Sequence, residues 1–184
     1  MRVIAGELRG RKLQSLPGKD VRPTSDKVKG ALFNMIGPFF EGGRGLDLFA
    51  GTGSLGIEAL SRGLDHVVFV DRHRPAIRII HSNLRALGLE EKAEVHHNDA
   101  KTILPRLCAK GRLFDFVFLD PPYALGAAPL LWLHEAGEGQ LLTKNGMVVL
   151  EHDARLDVPE RVGTMEKVKN RRYGDTMLTV FLRT

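Results

Sequence analysis

Cysteine is almost missing from this chain. Cys108 stands alone, which excludes an intrachain disulfide and any zinc site built on several thiolates. Its helical spacing from Leu104 and Leu107 predicts a packed thiol rather than a nucleophile. Tryptophan occurs once and tyrosine twice. No run approaches the ~18 apolar residues of a membrane span. Residues 1–6 lack the apolar stretch of a signal peptide, so the expectation is a cytoplasmic chain with no membrane contact. Repeats and low-complexity segments are absent. His96 and His97 are adjacent, but neighbours in a strand face opposite ways, so no metal is expected there.

What is present is ordinary in amount and uneven in placement. The 184 residues, 43% hydrophobic and 27% charged, suffice for one domain with a full core. The net charge of +5 is split along the chain. Residues 1–29 hold eight Lys/Arg against three Asp/Glu, residues 30–160 hold 13 against 17, and residues 161–184 hold six against two. An acidic middle flanked by basic ends suggests a polyanionic partner meeting the ends.

Residues 2–6 and 11–16 read as two short strands of a basic hairpin, and residues 1–22 form an N-terminal extension. Residues 23–40 hold a leading helix, with Thr24 or Ser25 as its N-cap and Asp26 in its first turn. Residues 41–184 then alternate strand and helix. Strands are predicted at 46–49, 66–70, 93–96, 114–119 and 147–151, and helices at 55–62, 75–87, 101–109 and 128–136. Near-continuous Val/Leu/Phe strands in such alternation predict an α/β, doubly wound, mostly parallel sheet. Residues 161–168 and 176–182 follow without a helix between them, which predicts an antiparallel C-terminal hairpin with a loop over 169–175.

Two motifs carry chemistry. Asp47-Leu48-Phe49-Ala50-Gly51-Thr52-Gly53-Ser54-Leu55-Gly56 joins the first strand to its helix, and Gly51, Gly53 and Gly56 satisfy GxGxxG. Glycines there let a ligand lie against backbone at a helix N-terminus. Asp71, at the tip of the next strand, can take both hydroxyls of a ribose. The motif is shared by dinucleotide enzymes and methyltransferases, and Arg72 or Arg74 would serve a 2′-phosphate in the former. Asp47 beside the loop suits a sulfonium or amino group better than a diphosphate, and Asp99 adds an acceptor for an adenine amino group. Both favour S-adenosyl-L-methionine.

The second motif is Asp120-Pro121-Pro122-Tyr123, at the end of the apolar run 114–119. Proline cannot donate to a sheet ladder, so the strand must stop there. A rigid shelf results, bearing one carboxylate, the proline carbonyls and an aromatic face. Acceptors can grip the amino group of a planar base while Tyr123 stacks on its ring.

Segments 47–63 and 120–123 resemble class I S-adenosylmethionine methyltransferases that modify exocyclic amino groups. The likeness narrows through Arg2-Val3-Ile4-Ala5-Gly6, Arg9-Gly10-Arg11, Arg22-Pro23-Thr24, Ala31-Leu32-Phe33-Asn34 and Arg172-Tyr173-Gly174-Asp175-Thr176. These resemble the RsmD family of 16S rRNA guanine-N2 methyltransferases, in the family's order along nearly the whole chain. The resemblance implies a Rossmann-like core with a seven-stranded sheet and methyl transfer to guanine N2 in 16S rRNA or the small ribosomal subunit. On it, Asp120 and the Pro121 carbonyl accept from the amino nitrogen and Tyr123 stacks on the base. Asp47, Gly51, Gly53, Asp71 and Asp99 hold the cofactor, while Arg2, Arg9, Arg11 and Arg22 contact phosphates. The family pattern has Arg at the positions of Lys27 and Lys29, and neither is given a site role. Methylation of adenine N6 or cytosine N4 on DNA or another RNA is the alternative chemistry for the same shelf, and a binding module without activity is the alternative class. A monomer is compatible with all of this.

Overall fold

Strand–helix alternation from Arg44 onward builds one eight-stranded sheet. The structure is a computed structural model that describes residues 1–18 and 24–184. Helix α1 (Asp26–Ile36) leads in. The strands are β1 (Arg44–Asp47), β2 (His66–Asp71), β3 (Ala93–His97), β4 (Phe114–Leu119), β5 (Leu142–Asp153), β6 (Arg161–Val162), β7 (Met165–Tyr173) and β8 (Thr176–Arg183). The intervening helices are α2 (Ser54–Ser61), α3 (Arg74–Leu87), α4 (Ala100–Ala109), α5 (Ala128–Glu135) and α6 (Glu138–Leu141). Across the sheet the strands lie in the order β3-β2-β1-β4-β5-β8-β7-β6. β1 to β5 pair in parallel, and β5–β8, β8–β7 and β7–β6 are antiparallel.

The two faces of the sheet bury separate apolar layers. On one, α1, α2 and α3 pack through Phe33, Ile57 and Ile80 against Phe69, Phe118 and Val149. On the other, α4 and α5 pack through Leu104 and Leu133 against Val70, Val117 and Leu150. Ser25 caps α1 by accepting from Val28 N at 3.2 Å, leaving Thr24 for another task.

Four expectations need correction. Among the described residues the sheet has eight strands rather than seven, because β6 adds a two-residue ladder to β7. β5 begins five residues before the expected Met147, and its pairing with β4 jumps from Phe114↔Leu142 to Phe116↔Met147. Asn145, at φ 66, sits in that bulge, and it broke the apolar run that periodicity reads as a strand. The loop expected over 169–175 is mostly strand: β7 runs to Tyr173, and only Gly174 and Asp175 turn before Thr176. Gly174 takes φ 61, as the first position of a two-residue hairpin turn needs. Arg171 and Arg172 are therefore strand residues.

The fourth concerns the N-terminal hairpin, which is reduced to a single antiparallel bridge, Arg2↔Lys12, with Val3 N donating to Arg11 O at 2.9 Å. It does not hang free. Val3 and Leu13 are buried in the layer under α2 and α3.

Candidate active site

The strand order reverses between β1 and β4, so their outgoing loops diverge to opposite faces and leave a crevice at the carboxyl ends of the strands. Both motifs lie there. Along the edge of the sheet, Asp99 follows β3, Asp71 ends β2, the glycine loop follows β1 and Asp120 follows β4.

The glycine loop is built for close approach. Gly51 and Gly53 have φ 57 and 83, which β-carbon-bearing residues rarely adopt. Gly56 answers to packing: a β-carbon there would lie 2.3 Å from Phe69 Cε1. The absence of that atom lets α2 settle on β2 and turns its N-terminus toward the crevice.

Asp47 is buried under this loop. Its Oδ2 accepts from Gly56 N at 3.0 Å, while Oδ1 has no hydrogen-bond partner among the described residues. Burial pushes its pKa up to about 7, against the lowering effect of the Gly56 N–H, and Asp120 and Asp71 add to the rise. A buried carboxylate oxygen left without a donor is costly. Asp47 lines a cleft of ≈ 200 Å³ whose walls include Phe49, Gly51 and Ser54 from the glycine loop, and Asp120 from the shelf. An amino-bearing ligand would supply a donor to this carboxylate, so the residues present fit the methionyl end of S-adenosylmethionine.

Asp120 begins the shelf where β4 ends. Desolvation raises its pKa to about 6, and a hydrogen bond from Thr24 Oγ1, at 3.1 Å from Oδ2, works against the rise. The same hydroxyl lies 3.3 Å from Glu151 Oε2, so Thr24 sits between two carboxylates. Pro121 is buried, and the Pro122 carbonyl is taken by Leu125 N at 3.0 Å. Of the two proline carbonyls expected as acceptors, that one is engaged within the turn. Tyr123 is 41% exposed, and its hydroxyl meets Thr176 Oγ1 at 3.0 Å. The ring is accessible for stacking and anchored at its far end.

Asp71 and Asp99 do not line this cleft. Asp71 Oδ2 accepts from Gly51 N and Oδ1 from His73 N, each at 2.8 Å, which fixes both the loop and the carboxylate. Asp99 caps α4, with Oδ1 accepting from Lys101 N at 2.9 Å and Thr102 N at 3.2 Å. His96 and His97 go separate ways, to Glu94 Oε1 and the Arg72 carbonyl.

The N-terminal segment forms part of the cleft wall, through Met1, Ser15, Leu16 and Thr24. Buried polar groups hold it down. Glu58 Oε2 and Oε1 accept from Ile4 N at 2.9 Å and Ala5 N at 3.0 Å, and Arg62 Nε donates to Oε1 at 2.9 Å. Lys29, fully buried, donates to the Arg2 carbonyl at 2.6 Å and to Ser54 Oγ at 2.9 Å. Asn83 links Gln14 to the glycine loop: its Oδ1 accepts from Gln14 N at 2.8 Å and its Nδ2 donates to the Thr52 carbonyl at 3.0 Å. Of the four arginines expected to contact phosphates, Arg2, Arg9 and Arg11 are exposed on this segment and Arg22 lies outside the described residues. Arg2 pairs with Asp26 at 3.1 Å, and Arg11 donates to the Ala86 carbonyl at 3.1 Å.

Sequence reasoning missed Thr24, Lys29, Glu58 and Glu151 as parts of the site and its support. Thr24 stood within a quoted motif, but its role needed the fold to bring it to Asp120, 96 positions away.

Residues 1–182 match the family described as Conserved hypothetical protein 95. YlbH of Bacillus subtilis, described as a candidate rRNA methyltransferase, is 47% identical over 181 residues, which is 98% of each chain. Ribosomal RNA small subunit methyltransferase D of Haemophilus influenzae is 37% identical over 87% of this chain and 83% of its own. Among solved structures, a hypothetical protein of Thermus thermophilus superposes with a TM-score of 0.84 at 32% identity, covering 98% of both chains. With the fold, the glycine loop and the DPPY shelf in place, the chain belongs to that family, the RsmD methyltransferases.

Proposed function

We propose that this protein transfers a methyl group from S-adenosylmethionine to the exocyclic N2 of a guanine in 16S ribosomal RNA. The observation that carries the reading is the convergence of Asp47 and Asp120 in one cleft between the glycine loop and the shelf. Two partly separated carboxylates suit two jobs, one on the donor and one on the acceptor. The activity named for the Haemophilus relative, on small-subunit RNA, supports the choice of substrate.

S-adenosylmethionine supplies a methyl group activated by a sulfonium. The residues of the chain do the rest by positioning, which for an in-line displacement accounts for much of the acceleration. Asp47 meets positive charge at the donor side, and Asp71, held by Gly51 and His73, presents lone pairs toward a ribose. Asp99 stands beyond it for the adenine amino group. On the acceptor side the guanine amino nitrogen is a poor nucleophile, because its lone pair is delocalised into the ring. Asp120 and the Pro121 carbonyl accept its two hydrogens and favour a more tetrahedral nitrogen. Tyr123 stacks on the base, an interaction typically worth ~1–3 kcal/mol. A paired guanine would hide this nitrogen, so the target is unpaired or flipped out. Arg2, Arg9, Arg11 and Arg22 hold phosphates, which position the RNA without reading its sequence.

The test is incubation with methyl-labelled S-adenosylmethionine and 16S rRNA or small ribosomal subunits, followed by digestion to nucleosides. Label in N2-methylguanosine is the expected result. Label in N6-methyladenosine, in N4-methylcytidine, or in no nucleoside overturns the assignment.

A further inference from the structure

Averaged over residues 30–160 the chain is acidic, yet one helix in that stretch is basic throughout. Helix α3, Arg74–Leu87, contains three arginines and a histidine and no Asp or Glu. Arg74, Arg78, His81 and Arg85 recur at i, i+4, i+7 and i+11, so they form one stripe along the helix. All four are exposed, while Ala76, Ile80, Leu84 and Leu87 face the core. Arg11 of the N-terminal segment joins the stripe at its far end by donating to the Ala86 carbonyl.

Stability alone does not favour this arrangement. Arg74 faces Arg78 at i,i+4, where like charges repel. Arg74 opens the helix at its N-terminus, where the macrodipole disfavours a cation and no acidic residue fills the first turn. The ion pair at the end of the stripe, Arg85–Glu90 at 3.4 Å, is exposed on both sides and screened. The stripe starts three residues after Asp71, at the crevice end of the sheet. It runs beside residues 11–14, which Asn83 and Ala86 fasten to the same helix.

We infer that this stripe, continued by Arg11, is a track for the phosphate backbone of the RNA substrate, running from the crevice along α3. The inference rests on the reading of the partner as RNA and adds where that RNA lies. A run of cations at helical spacing, little compensated by acids, fits a polyanion whose charges recur every few ångströms. The N-terminal segment and α3 are then one surface, and the basic end of the chain is only its rim.

The test is binding of a 16S rRNA transcript by fluorescence anisotropy over a range of salt concentrations, for the wild-type protein and two double variants. Arg74→Gln/Arg78→Gln removes two charges from the stripe. Arg106→Gln/Lys110→Gln removes two from the end of α4, on the opposite face of the sheet. For the stripe variant, the slope of log K against log[salt] should fall by ~1.4–1.8, and RNA affinity near ~0.1 M salt should drop about tenfold or more. S-adenosylmethionine affinity and kcat at saturating RNA should not move. An unchanged slope, or an equal loss in the α4 pair, overturns the track. The functional reading fails separately, if the wild-type protein binds the transcript but places no methyl on guanine. Absence of salt-dependent binding by the wild type overturns both.

Discussion

The phenolic oxygen of Tyr123 lies 3.0 Å from Thr176 Oγ1. This contact joins the shelf after β4 to the turn between β7 and β8. Ala154 N, donating to the Asp175 carbonyl at 2.8 Å, and Arg172 Nε, donating to the Gly174 carbonyl at 2.8 Å, hold that turn in place. The C-terminal motif of residues 172–176 thereby acquires a role, since it carries the hydroxyl that holds the Tyr123 ring.

Thr176→Val and Tyr123→Phe should each lower kcat/KM about 3–10-fold, the worth of one net hydrogen bond. The double variant should lose little more than either single one, because both remove the same contact. Additive losses in this cycle would show that the two side chains act independently.

In the proposed role Asp120 is the stronger acceptor when ionised, with both oxygens free of a proton, and burial has raised its pKa to about 6. Turnover should therefore rise with pH through a midpoint near that value. Thr24→Val removes the donated hydrogen bond that opposes the rise, so the midpoint should move upward, while Thr24→Ser should restore it. Asp120→Ala should cost ~100-fold or more in kcat while leaving donor binding largely intact. A pH–rate profile of each variant, with calorimetric titration of the cofactor, checks all three.

Asp47 is held at a pKa of about 7 against an ordinary 3.8. Between those values the native state keeps a proton that the unfolded chain releases, so this group's stabilising contribution is lost as pH rises toward 7. Asp47→Asn should match the wild type near pH 4 and exceed it in stability near pH 8, as read from denaturant midpoints. The same variant should bind S-adenosylmethionine more weakly at the higher pH and show a flatter pH dependence of binding.

Glu58 receives two backbone N–H groups of the N-terminal segment and the Arg62 guanidinium, with Lys29 Nζ 3.5 Å away. Truncation leaves the two N–H groups without their acceptor and removes the counter-charge of a buried ammonium. Glu58→Ala should lower stability by about 3–5 kcal/mol. Hydrogen exchange at Ile4 and Ala5 should accelerate ahead of the sheet amides if the segment is released first.

Much of the fold was legible because α/β alternation writes itself as apolar runs separated by glycines. β4 falls on residues 114–119 as expected, and the helix read from Pro75 to Leu87 starts one residue earlier, at Arg74. The readings that failed did so where periodicity is interrupted. The bulge at 143–146 hid the first part of β5, and the arginine run of β7 resembled a loop because both its faces are polar. At the site, Asp47 and Asp120 could be named from their motifs. Thr24, Lys29 and Glu58 could not, because each acts across a gap in sequence that only tertiary packing closes. The basic stripe of α3 was lost for another reason: summing charge over 131 residues cancelled a helix against its neighbours.

The position of β8 bears on how the chain comes to be folded. It is the final strand in chain order, yet it occupies an interior place between β5 and β7 and supplies Thr176 to the shelf. During synthesis the ribosome must release nearly all of residues 176–183 before β5 gains its second neighbour. Until then β5 and β7 expose ladder edges, and Tyr123 lacks its anchor. A nascent chain stalled before β8 would thus hold the glycine loop and Asp120 while remaining incomplete at the shelf and prone to pair with foreign strands.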